Sequence, residues 1–330
     1  MSTDQPVLPT HPESPPAFRT SDGPMWGYVP PRLKFQHTYR RHLVLFALTL
    51  LTTTYAGEWN FEGFRQTVGI VEDFRWYSPD FIARGLWYSV PVLLILSAHE
   101  FGHYLWCRIH NVDATLPYFI PGPAPFLMTG TFGAVIRIRE VFPSRKALFD
   151  IGIAGPIGGF LVLVPFLVWG VMLSQSFPVD AHGEGIAFGE PLLIKALIRW
   201  KFGVLPHGYD VTLHPMGFAA WWGMLATALN LIPFGQLDGG HIVYALLGRR
   251  AGLVSAITLI CVALLTGVSS SWIAMTIMLL IMAFLMGLHH PRAMDEGTPL
   301  GARRRLLALL ALIIFALCFT PVPISMFFAD

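Results

Sequence analysis

Long apolar blocks constrain this chain more than any other feature. They fall near residues 43–57, 86–107, 147–173, 217–247, 252–268, 272–288 and 306–322. A helix that crosses a bilayer needs about 20 predominantly apolar residues. Only 13% of the 330 residues are charged and 54% are hydrophobic, against roughly 25% charged in an ordinary globular domain. The expected fold is therefore an α-helical polytopic membrane protein of six or seven transmembrane helices. The first block is short and carries Thr52, Thr53 and Thr54, so it matches a full span less well than the others. The fourth is too long for one straight helix. Pro233 should end that helix near residue 231, because a proline inside a helix removes a backbone bond and clashes with the preceding turn. A distorted stretch at membrane depth is tolerated where it lines a site or packs against protein.

The flanks of the blocks set an orientation. Residues 1–41 hold eight prolines and no signal-like apolar core, so they read as a flexible tail. The integral membrane domain is then 42–330, with its core at 86–250. Arg32, Lys34, Arg40 and Arg41 precede block one. Arg108, Arg137, Arg139, Arg145 and Lys146 follow block two, Arg249 and Arg250 follow block four, and Arg303, Arg304 and Arg305 precede block seven. The intervening loop at 58–85 carries Glu58, Glu62, Glu72, Asp73 and Asp80 against three arginines. Basic loops face the cytoplasm, so the amino-terminal tail is expected there. No basic stripe with interleaved aromatics marks a nucleic-acid surface. Cys107, Cys261 and Cys318 lie singly in apolar runs and read as small buried hydrophobes.

The sharpest chemical signal is HEFGH at residues 99–103, inside the second block. On a helix, His99 and His103 lie on one face, about 6 Å apart along the axis, where both imidazoles can reach one Zn²⁺. Glu100 follows the first ligand and can act as general base on a water. Ionisable groups at membrane depth cost several kcal/mol unless paired or metal-bound, so a purely structural role is poorly served by this motif. A catalytic zinc needs a third protein ligand and an open position. Asp238, in NLIPFGQLDGGH, is an acid in apolar surroundings after Pro233 and before two glycines. It is either that ligand or a helix cap. His241, three residues on, competes for the ligand role or hydrogen-bonds nearby. By the charge count, His99, His103 and Asp238 all sit towards cytoplasmic ends of their segments.

Residues 113–139 have a different texture. Pro117, Pro121, Pro123 and Pro125 exclude a helix, and Gly130, Phe132, Gly133 and the following AVIRI suggest a short membrane-associated β-hairpin. Such a hairpin either seals the fold or offers an unpaired edge near Phe132 and Gly133 to a partner strand.

SAHEFGHYLW, LPYFIPGP, TGTFGAVIRI, AGPIGGF, LHPMGFAAWWGM, NLIPFGQLDGGH and FTPVPI together resemble the site-2 proteases, a family of intramembrane zinc metalloproteases. The resemblance implies a metalloendopeptidase that hydrolyses peptide bonds within or near transmembrane segments, with membrane proteins as substrates, the bilayer as solvent and regulated intramembrane proteolysis as the setting. It also implies one Zn²⁺ per chain on His99, His103 and Asp238, with Glu100 activating water. Asn230 would hold substrate or the developing oxyanion, Gly155 and Pro156 would pack the neighbouring helix, and the extended segment would bind unwound substrate. Relatives that carry an inserted soluble domain differ from this chain, whose segment 174–216 is too short for one.

Asp150 is a further candidate, as a hydrogen-bond partner of a ligand histidine or as a helix cap. His110 reads as interfacial, His214 as lying on the far side of the membrane, and His289 and His290 as solvated; His207 also attracts notice without a ligand role. Trp26, Trp59, Trp76, Trp87, Trp221 and Trp222 read as an interfacial belt. A transporter would use intramembrane His, Glu and Asp as readily, although no repeat of half-chains supports it. A non-catalytic scaffold would have no need of Glu100.

Overall fold

The computed structural model describes residues 33–70, 79–124, 127–179, 185–288, 290–291, 293–295 and 297–327. The proline-rich tail up to residue 32, and with it Trp26, lies outside the described residues. So do Glu72, Asp73, Arg75, Trp76, Pro125 and His289.

Nine α-helices are found among the described residues. Helix α1 (Tyr39–Thr67) is followed by α2 (Pro79–Ile109), α3 (Arg145–Leu173), the short α4 (Leu192–Phe202), α5 (Pro215–Leu231) and α6 (Asp238–Leu247). Helices α7 (Ala251–Leu265), α8 (Trp272–Met286) and α9 (Gly301–Cys318) complete the set. Three stretches are long and apolar enough to cross a bilayer, Asp80–Ile109, Arg145–Leu173 and Asp238–Leu265. The last joins α6 to α7 through a 3-10 turn at Gly248–Arg250. This is fewer than the six or seven expected. Helices α5 and α8 have only 17 and 15 residues, and α9 places Arg303, Arg304 and Arg305 in its first turns.

The exterior of the later helices is what lipid would meet. Leu264 on α7, Phe284 on α8 and Leu306 on α9 are all well exposed, an arrangement that costs little in hydrocarbon and much in water. Cys261 belongs to this outer surface, contrary to expectation, whereas Cys107 and Cys318 are buried and all three thiols are free. The core lies inside α2, α3 and α5, where Tyr88, Phe149, Leu163, Trp221 and Met224 are fully buried. Trp221 is thus a core residue and no part of an interfacial belt; its indole N–H donates to the Gly189 carbonyl.

The polar threonines of α1 find a simple use. Thr49 and Thr53 are buried, their hydroxyls donate to carbonyls one turn back, and Thr53 also bonds Ser89 on α2. Helix α1 accordingly runs ten residues past the expected end of the first block, to Thr67. Its start is tied down as well. The Lys34 ammonium pairs with Glu140 at 2.9 Å and the Phe35 N–H donates to Asp113. The Asp113 N–H and the Lys34 ammonium hold the Glu140 carboxyl below its ordinary range.

Three small antiparallel sheets complete the fold. Strand β1 (Tyr118–Pro121) pairs with β2 (Thr131–Val135), giving the expected hairpin, with Ile120 opposite Gly133 and an irregularity at Pro121. The segment between α3 and α5 carries β3 (Gln175–Pro178), β4 (Gly185–Phe188) and β5 (Tyr209–Thr212), and the chain returns at its end as β6 (Ile324–Phe327). Strand β3 pairs with β5 and β4 with β6. The β4–β6 pairing joins parts of the chain well over a hundred residues apart, which is why no local pattern announced it.

Candidate metal centre

Helix α2 presents His99 and His103 on one face and buries both, together with Glu100. The third group arrives from the break at Pro233. Helix α5 stops at Leu231, residues 232–237 fold back, and α6 starts at Asp238. The fold-back is tight. A Cβ at Gly240 would fall 2.6 Å from the Phe234 carbonyl oxygen, and one at Gly239 would fall 2.6 Å from that of Ile232. Glycine is the residue that tolerates such approach. Asp238 lies in the first turn of α6 without capping it by a side-chain bond. Its carboxylate turns to α2, with Oδ2 at 3.1 Å from His99 Nε2 and Oδ1 at 3.3 Å from His103 Nε2. The two Nε2 atoms are 3.2 Å apart.

This donor set fits a tetrahedral divalent metal. Ligands about 2.0–2.2 Å from a tetrahedral Zn²⁺ are separated by about 3.3–3.5 Å, close to the observed spacings. Two imidazoles and one carboxylate also leave a fourth position open, and their mixed character suits Zn²⁺. Among the described residues, this is the one cluster of three or more such groups whose ligand atoms converge within 4.8 Å.

The surroundings orient these ligands. The carbonyl of Ile151 on α3 lies 2.7 Å from His103 Nδ1. A carbonyl can only accept, so Nδ1 carries the proton and Nε2 is free to ligate. Helix α3 comes this close because AGPIGG has almost no side chains facing α2. A Cβ at Gly102 would lie 2.5 Å from the Ala154 oxygen, one at Gly158 would lie 2.7 Å from the Ala98 oxygen, and one at Gly155 would overlap the His103 ring. Asn230 on the last turn of α5 places Nδ2 at 3.3 Å from His99 Nε2. The main chain of Ile136, just past β2, lies beside the Glu100 carboxylate. Phe132 on β2 is 66% exposed and Gly133 has φ +101°.

Other candidates are placed elsewhere. Asp150 is neither a partner of the ligand histidines nor a cap, since Ser144 caps α3. Its carboxylate accepts two bonds from the Arg304 guanidinium, at 2.8 and 2.7 Å, and pairs with His110 at 3.1 Å. His241 bonds through Nδ1 to His290 Nε2 at 2.6 Å, so its hydrogen bond leads away from the ligands. His290 is buried and not solvated; its ring stacks on Tyr244. His214 caps α5 by accepting from the Met216 N–H and sits among Phe61, Phe64 and Trp87. The sequence does not reveal the Ile151 carbonyl, Arg304 or the role of His290 as parts of these contacts. The run of small residues at 152–159 was the one available signal for the first, and no local pattern marks the other two.

A helix pair converging on a buried metal-ligand set beside a hairpin defines a membrane metallopeptidase class. The model of peptidase family M50 matches residues 87–273, more than half of the chain, and the chain belongs to that family, the site-2 protease family its motifs resemble. It is similar to the probable zinc metalloprotease EGY1, chloroplastic, of Arabidopsis thaliana, with 33% identity over 177 residues, 52% of this chain and 31% of that protein. It is 32% identical to the probable zinc metalloprotease EGY2, chloroplastic, of Oryza sativa subsp. indica over 167 residues, 50% of this chain and 30% of the relative. A longer match, 28% identity over 291 residues, joins 84% of this chain to 48% of the probable zinc metalloprotease EGY3, chloroplastic, of the same rice. The chain spans about a third of the length of the EGY1 and EGY2 relatives.

Proposed function

We propose that this chain is an intramembrane zinc metalloendopeptidase that cleaves membrane proteins within or near their transmembrane segments. The observation that carries the reading is the meeting of His99, His103 and Asp238 from α2 and α6 beside a buried Glu100. We further propose a multi-pass topology of six or seven spans with the amino terminus and the metal centre towards the cytoplasm, on the distribution of arginine and lysine.

His99, His103 and Asp238 would hold one Zn²⁺, which supplies a Lewis acid for the scissile carbonyl and acidifies water. Glu100 takes the proton of the attacking water on a carboxylate oxygen and returns it to the leaving amine. Asn230 Nδ2 donates to the oxygen on which negative charge develops, a contribution that grows in surroundings free of water. A helical substrate shields its own amides, so it must unwind before attack. The exposed edge of β2 near Phe132 and Gly133 offers main-chain partners for the unwound segment.

Purified protein in lipid, assayed for zinc content and for cleavage of a model transmembrane peptide, tests this. Glu100→Gln should keep its zinc and lose turnover by about 10²–10⁴-fold. Asp238→Ala should lose zinc as well. Undiminished cleavage by Glu100→Gln would falsify the proposal, and an ion flux sensitive to the same change would point to transport instead.

A further inference from the structure

A cavity of about 560 Å³ lies at the far end of α5 from the metal centre. Pro215, Phe218 and Trp221 line it, and at 1.5 Å per residue Pro215 is about 22 Å along the helix from Asn230. Trp59 and Phe64 of α1 form another wall. Ile194 and Ile198 of α4 add to it, and strands supply a further side.

Strand β4 contributes Ile186, Ala187 and Phe188, and β5 contributes Asp210, Val211 and Thr212. Side chains alternate between the two faces of a strand. A cavity that touches three consecutive residues therefore meets the strand's edge. The ladders agree. The Gly189 N–H donates to Pro323, and antiparallel alternation then turns the main-chain groups of Ile186 and Phe188 away from β6. The Val179 N–H donates to Gly208, which likewise turns Val211 away from β3. The Val211 N–H is held instead by the adjacent Asp210 carboxylate at 2.7 Å. Among the described residues, each of these strands has one hydrogen-bonded neighbour, and the charged residues lining the cavity are Glu190 and Asp210, both exposed.

We propose that this cavity binds an extended basic peptide segment by strand addition to β5, and that the segment is the juxtamembrane flank of a substrate. The second clause rests on the peptidase reading, since a spanning substrate held at the metal centre must leave the membrane near the other end of α5. A lysine or arginine of the incoming strand pairs with Asp210 and draws it off the Val211 N–H. That donor is then free for a peptide carbonyl, while Glu190 attracts a second basic residue and apolar residues between them meet Trp59, Phe64 and Phe218.

The test uses the full chain carrying Glu100→Gln in phosphatidylcholine nanodiscs, titrated by fluorescence anisotropy with a labelled decapeptide of alternating lysine and valine. The peptide should bind, a glutamate–valine counterpart should not, and Glu190→Lys with Asp210→Lys should weaken binding by about tenfold or more. N-methylation of one of the two alternating sets of peptide amides should abolish binding, because an added strand needs that set. Equal binding of both peptides, indifference to charge reversal, or indifference to N-methylation overturns the proposal. So does co-purifying phospholipid, seen by native mass spectrometry, that the peptide fails to displace. Binding is read on a protein without turnover, so its failure is separate from failure of the zinc and cleavage assays.

Discussion

Gly155 shows how a residue with no functional group governs the chemistry. It lies under the His103 imidazole, and any Cβ there overlaps the Nε2 nitrogen itself. Gly155→Ala must push the ring away or separate α3 from α2, at about 1–3 kcal/mol for overpacking. Zinc content and cleavage should fall together while circular dichroism and gel-filtration profiles stay close to wild type. Full zinc occupancy in that variant would show that the helices give way without disturbing the ligand. Such glycines act by absence, and their effect depends on which neighbour fills the space.

At the scale of elements, three devices hold the centre. The small-residue seam lets α2 and α3 touch through main chain, as small residues do between membrane helices. The break at Pro233 turns the chain so that α6 begins at Asp238. The third is the clamp between Asp150 on α3 and Arg304 on α9, with His110 at the end of α2 as a further partner. Asp150 is 5% exposed, so removing its main partner leaves a buried charge with only a histidine beside it. Arg304→Ala should destabilise the protein by about 2–3 kcal/mol, a buried-pair loss reduced for the partly exposed guanidinium. Adding Asp150→Asn should recover part of that loss. Thermal or chemical unfolding of the three proteins measures the difference, and equal stability of all three would refute the clamp.

For the whole molecule, the proposed metal centre would act as a cross-link. His103 and Asp238 stand 135 positions apart in the chain, so under that proposal zinc would bind the folded chain and find no comparable site in the unfolded one. Binding of that kind adds about 2.7 kcal/mol at a free ligand concentration one hundred times Kd. Chelation should therefore lower the thermal midpoint of wild type and of Glu100→Gln alike, and leave that of Asp238→Ala almost unchanged. An Asp238→Ala protein that responds to chelator as wild type does would exclude the carboxylate from the site.

The sequence by itself determined the membrane-length blocks, the break at Pro233, the hairpin and the motif at 99–103, because each is written in near-neighbour chemistry: hydropathy, proline sterics and helical spacing. It also brought Asp238 forward, while leaving a cap and His241 as alternatives. Only the tertiary structure turned the Asp238 carboxylate towards both imidazoles and sent the hydrogen bond of His241 to His290. Tertiary structure likewise assigned Asp150 to Arg304, buried Trp221, and paired β4 with a strand from the end of the chain. These outcomes depend on which distant groups meet, and a buried charge or an open strand edge takes its partner from whatever the packing of helices brings within about 3 Å.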